Sequence, residues 1–79
     1  MKIIKLLKIK ENIYESIIFN EDLTVLCPQE LFEDLYTLNF YLQTLQKKFN
    51  FNDSLIIIHD KINNSVEILK NNREIYLDK

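Results

Sequence analysis

The sequence predicts an α+β domain, a small antiparallel sheet in βββ-α-βββ order with one long amphipathic helix packed across it. Two observations carry this prediction. Short segments dense in Ile, Val, Tyr and Phe, punctuated by Asn- and Asp-containing turn signals, lie on both sides of the chain's middle. Between them, over residues 28–49, the apolar spacing lengthens to that of a helix.

The elements follow in order. Residues 3–9, IIKLLKI, and 13–19, IYESIIF, are rich in β-branched side chains and are separated by Lys10-Glu11-Asn12. LTVLC, residues 23–27, follows the turn signal Asn20-Glu21-Asp22, which completes a predicted β-meander over residues 3–27. Pro28 suits a first helical position, where its missing N–H would have no partner. Glu30, Glu33 and Asp34 near the start and Lys47 and Lys48 near the end complement the helix dipole, so the helix is predicted over 28–49. LIIIH, residues 55–59, is apolar at successive positions, as a strand covered on both faces would be. Asn63-Asn64 and Asn71-Asn72 then turn the chain into SVEILK and REIYL, giving strands and hairpins over 55–78. No linker, repeat or low-complexity tract divides the chain, and residues 1–79 read as one domain.

The N-terminus has a second available winding. As a helix, residues 2–18 would gather Ile3, Leu6, Leu7, Ile13, Tyr14, Ile17 and Ile18 on one side, with Lys2, Lys5 and Lys8 opposite. A helix of that kind would lie on a membrane surface or in a partner's groove. The turn signals and the density of isoleucine favour strands.

Composition removes several functional classes. Apolar residues at 47% and charged residues at 28% mark a globular chain, though at 79 residues its core is marginal. The chain contains no glycine, so no glycine-rich phosphate loop can be written in it, and positive-φ turns fall to asparagine. The load of Ile, Asn and Lys is what an AT-rich coding sequence would supply. A single cysteine makes no internal disulfide and points to a reducing, cytoplasmic setting. The start, MKIIKLLKIK, is interrupted by lysine too often for a signal-peptide core, and the longest apolar run, Leu55–Ile58, is far short of a membrane span. A net charge of −2 implies no partner by itself.

Candidate chemistry is sparse. Cys27, expected at the helix N-terminus, sits where a thiol pKa is lowered, and His59 and Asp60 complete the side-chain types of a cysteine-nucleophile site. Nothing in the spacing brings them together, one Cys and one His are too few for a structural zinc site, and no enzymatic activity or cofactor is expected. Lys2, Lys5, Lys8 and Lys10 form a basic start that, with the aromatic residues, could contact nucleic acid. The net negative charge and the single arginine argue against it.

The long helix carries the sharper signal. Leu31, Leu35, Leu38, Leu42, Leu45 and Phe49 form one apolar seam, within about 40° of a common direction. Phe32, Tyr36 and Phe40 fall at about 100°, 140° and 180° from it, a second, aromatic face that a single sheet does not require. The expected function is therefore protein binding, by an inhibitor, adaptor or minor assembly subunit of the kind phages and mobile elements encode. The partner is another protein or a second copy in a homodimer. The predicted contact residues are Phe32, Tyr36 and Phe40, with Tyr41 and Lys47 at the margin.

Overall fold

The computed structural model of the chain describes residues 1–78. The elements run β1 (Lys2–Lys10), β2 (Ile13–Phe19), β3 (Val25–Phe32), α1 (Leu35–Lys48), β4 (Ser54–Asp60) and β5 (Ser65–Asn71). The strands form a five-stranded sheet in the order β3-β2-β1-β4-β5. The predicted α+β class, with one helix against a sheet, is what the chain adopts. The sheet is mixed rather than wholly antiparallel: β1 pairs parallel to β4 at its centre, and the other neighbours are antiparallel. A parallel pair needs a long crossover, and α1 lies within it.

Residues 2–10 and 13–19 are strands, so the N-terminal amphipathic helix does not form. Their periodicity of two puts Ile4, Leu6, Tyr14 and Ile18 into the core. Asparagine carries most of the backbone reversals, with φ of 63° at Asn12, 52° at Asn50 and 52° at Asn64. Leu23, at φ 71°, is the exception. The loop around it is fixed by hydrogen bonds: Thr24 donates its N–H (3.1 Å) and its hydroxyl (2.6 Å) to Asp22 Oδ1, and Asn20 N donates to Thr24 O at 2.8 Å.

The helix begins at Leu35, not at Pro28, and residues 28–32 extend β3 along β2. Two features explain the delay. Asp34 is the N-cap, accepting from Thr37 N at 2.7 Å and Thr37 Oγ1 at 3.0 Å, a role for which aspartate is well suited. Cys27 and Phe32 meanwhile bury themselves from an edge strand, the position in a sheet where proline is tolerated. The helix ends in a Schellman motif: Phe51 N donates to Gln46 O (3.1 Å) and Asn50 N to Lys47 O (3.3 Å), with Asn50 left-handed. Of the predicted seam, Leu38, Leu42 and Leu45 are buried and Leu35 packs at their margin. Leu31 belongs to β3 and is exposed, as is Phe49.

The last predicted strand is not in the sheet. After Asn71 the chain leaves β5 and runs beside α1, held by amide side chains on the helix. Asn39 bonds both backbone groups of Leu77, its Nδ2 donating to Leu77 O and its Oδ1 accepting from Leu77 N, each at 2.7 Å. Gln43 Nε2 donates to Ile75 O at 2.7 Å. Gln46 Nε2 donates to Arg73 O at 2.9 Å while its Oε1 accepts from Ile75 N at 3.0 Å. These three residues, at helical spacing, offer the segment the donors and acceptors that a neighbouring strand would. Ile75 is 0% exposed and Leu77 packs against the core, while Tyr76 between them points outward. The helix and this segment together cover one face of the sheet.

Candidate functional site

The predicted helix surface divides into three parts. Phe32 lies at the end of β3 and is buried, its ring centroid 4.7 Å from that of Tyr41 at an interplanar angle of 44°. Tyr41 is half-buried, and burial first, with Cys27 beside it second, pushes its hydroxyl pKa up to about 12. Phe32 and Tyr41 thus serve the core rather than a shared exposed face. Tyr36 and Phe40 are 82% and 64% exposed. With Leu35, Gln43, Tyr76 and Leu77 they line an open groove of about 530 Å³ between the helix and the C-terminal segment. Lys47 is exposed toward the other end of the helix, beside Asn50 and Arg73. Of the five predicted residues, only Tyr36 and Phe40 form a common surface.

The cysteine-nucleophile constellation does not assemble. Cys27 is buried in β3, level with Ile18, and the helix starts at Leu35, so Cys27 does not stand at the first position of the helix as expected. His59 pairs with Leu7 and Val66 in the sheet, whereas Cys27 shares the row of Ile18 and Ile4 on the face beneath the helix. Alternation of side chains sets the two residues on opposite faces. Asp60 instead caps the β4–β5 turn, accepting from Ile62 N (2.9 Å) and Asn63 N (3.1 Å), and these bonds hold its pKa below the ordinary aspartate value. No cluster of metal-ligating side chains occurs among the described residues. Nor is any described helix long and apolar enough to cross a membrane.

The N-terminal lysines do not make one patch. Lys5 lies on the sheet face away from the helix; Lys2 and Lys8 alternate to the other. Lys2 Nζ donates to Asn20 Oδ1 at 3.0 Å, and Lys8 Nζ lies 3.7 Å from Glu11 Oε2. Lys10 is at the β1–β2 turn.

A more extensive surface lies on the side of the sheet that neither helix nor C-terminal segment covers. Register and alternation assign its rows. Val25, Phe19, Ile3, Leu55 and Lys70 form one, reading from β3 to β5. Ile17, Lys5, Ile57 and Ile68 form the next. Leu31, Glu15, Leu7, His59 and Val66 form the third. No described helix or strand packs over these rows, and the side chains near the edges, Val25, Leu31, Val66 and Ile68, are all exposed. The polar exceptions are Lys5, Glu15, His59 and Lys70. Sequence reasoning missed this face, although the signal was present. Ile3, Leu7, Ile17, Leu55 and Ile57 stand at positions where a strand with one solvated face would be polar. The apolar Leu55–Ile58 run predicts a strand covered on both sides, and among the described residues only one side is covered.

The comparisons with known proteins name no relative. Neither a protein-family model, nor a curated protein, nor a solved structure matches the chain. Function has to be argued from the chemistry of these surfaces.

Proposed function

We propose that this protein works through protein–protein contact, with another protein or a second copy of itself docked on the uncovered sheet face. The observation that supports this reading is the apolar character of that face across all five strands. Strands at about 4.8 Å spacing, each about seven residues long at about 3.3 Å per residue, give it a footprint on the order of 500 Å². Val25, Leu31, Val66 and Ile68 expose apolar side chains on it, and exposed apolar surface of that kind suits an interface. The groove beside Tyr36 and Phe40 favours a second, smaller contact on the opposite side of the molecule, where exposed aromatic side chains suit an interface. Nucleic-acid binding is less well supported, because the lysines are split between faces and the docking face carries isoleucine where a phosphate-binding face would carry arginine and lysine.

A photo-crosslinking residue at Ile68, introduced in the protein's own cellular setting, tests the reading. The result expected is a discrete protein adduct from position 68 and none from Thr44, an exposed polar position on the helix. Absence of a discrete adduct at 68, in protein that is folded by circular dichroism, overturns it.

A further inference from the structure

We infer that the occupant of the uncovered face is a second copy of this chain, packed sheet against sheet about a two-fold axis that sets Lys5 of each copy over Glu15 of the other. The inference rests on the docking reading above and adds the partner's identity. The first argument is charge. An isologous interface requires that whatever contacts a residue be contacted by it in return, so a face of one sign repels its own copy. Lys5 and Glu15 stand on neighbouring strands, Lys5 level with Ile17 and Glu15 level with Leu7, one step diagonally apart. Neither forms an ion pair within its own chain among the described residues. An axis lying in the interface and bisecting the line between them brings each ammonium onto the partner's carboxylate, twice per dimer. The same arrangement leaves Lys70, on the edge strand β5, toward solvent.

The second argument is area. Stable interfaces of ordinary size bury about 800 Å² of accessible surface per partner. A footprint on the order of 500 Å², roughened by Ile, Leu and Phe side chains, exposes accessible surface approaching that requirement, so one copy is sufficient to cover the face. Sheets stack at about 10 Å with their inner side chains interdigitated, and the apolar rows around Lys5 are suited to that packing. The product is a four-layer assembly, helix-sheet-sheet-helix, in which the second face becomes a core like the first.

Sedimentation equilibrium on the full chain, from low micromolar to about 0.5 mM, provides the test, with Lys5→Glu, Glu15→Lys and the double exchange. The wild type is expected to be dimeric. Each single exchange places like charges face to face and is expected to weaken the dimer by about tenfold or more. The double exchange restores opposite charges and returns the affinity to within a few-fold of wild type. Both substitutions lie on the uncovered face, and far-UV circular dichroism verifies folding of all three variants. A monomeric wild type over the whole range overturns the inference, as does a dimer indifferent to both single exchanges. The adduct at position 68 separates this failure from that of the docking reading. With a monomeric wild type, an adduct to a different protein leaves the docking reading intact. With no adduct at all, both fall.

Discussion

Replacing Ile75 by alanine isolates the contribution of the C-terminal segment. The side chain is 0% exposed and belongs to the same core cluster as Leu38, Leu42 and Ile56. Alanine removes three carbon atoms from that site. At about 0.8 kcal/mol for each, the lost transfer term is about 2.4 kcal/mol, and the cavity left behind brings the expected loss to about 3 kcal/mol. A chain of this length has total stability on the order of 4–12 kcal/mol, so the change is large, corresponding to a fall in Tm of about 12–24 °C. The control is Tyr76→Ala, one residue away and 71% exposed, expected to lie within about 0.5 kcal/mol of wild type. Urea denaturation followed by far-UV circular dichroism measures both. Amide hydrogen exchange at Ile75 and Leu77 tells whether the segment detaches alone or unfolds with the sheet. Equal midpoints for Ile75→Ala and Tyr76→Ala would refute the reasoning, because a segment lying loosely on the surface cannot distinguish its inward from its outward residue.

Other perturbations probe separate parts of the same fold. Gln46→Leu keeps volume but leaves Ile75 N and Arg73 O without their partner, and is expected to destabilise by about 1–3 kcal/mol in the same denaturation assay. Leu23→Asn replaces a residue strained at φ 71° by one that tolerates that region, and is expected to raise Tm by a few degrees in a thermal melt. Tyr41 has a folded pKa raised to about 12 from 10.0, so its stabilising effect is complete below pH 10 and is lost as pH climbs toward 12. Tyr41→Phe should flatten the fall in Tm between about pH 10 and 12. At the acid end, Asp34 and Asp60 have pKa values lowered by the hydrogen bonds they accept. Their contribution is present above the ordinary aspartate pKa and disappears as pH falls through the lowered one, a dependence that Asp34→Asn should reduce in acid titration.

Much of this fold was legible because local chemistry and tertiary packing agree in most elements. The strand pattern of residues 2–19 has the sheet's period, and Asn12, Asn50 and Asn64 occupy left-handed turns in a chain with no glycine. Pro28 and the acidic residues after it satisfy the rules for a first turn equally well, yet the helix starts at Leu35. The deciding feature was tertiary: Phe32 and Cys27 bury themselves only from an extended chain. The Asn71-Asn72 turn signal predicts a strand at REIYL, and burial there does alternate. The alternation is used, with Ile75 and Leu77 inward, but the hydrogen-bonding partner is a row of helix amides. Asn39, Gln43 and Gln46, at i, i+4 and i+7 beside the apolar seam, were the available signal. Such a row usually means solvent, and here it takes the place of a strand edge. The candidate surface was the least legible part, since which face the helix covers depends on the crossover, and no local pattern encodes that.

The isoleucines of the uncovered face also bear on whether composition alone explains them. A coding sequence rich in A and T supplies Ile, Asn and Lys together, so it biases the chain toward polar residues as strongly as toward apolar ones. In this chain the two kinds are not distributed at random. Asparagine collects in turns and loops, at 12, 20, 50, 52, 63, 64 and 72, and lysine dominates strand ends and the last turn of the helix. The central rows of the open face instead hold Ile3, Ile17 and Ile57, where Lys or Asn was equally available and would have left the face solvated at no expense to the core beneath the helix. Lys5, the lysine on the central strand of this face, has a carboxylate one diagonal step away rather than another lysine. A solvated face built from the same codons would look different: lysine-rich, of one sign, and without isoleucine at its centre. That arrangement supports the proposal that a partner docks on this face.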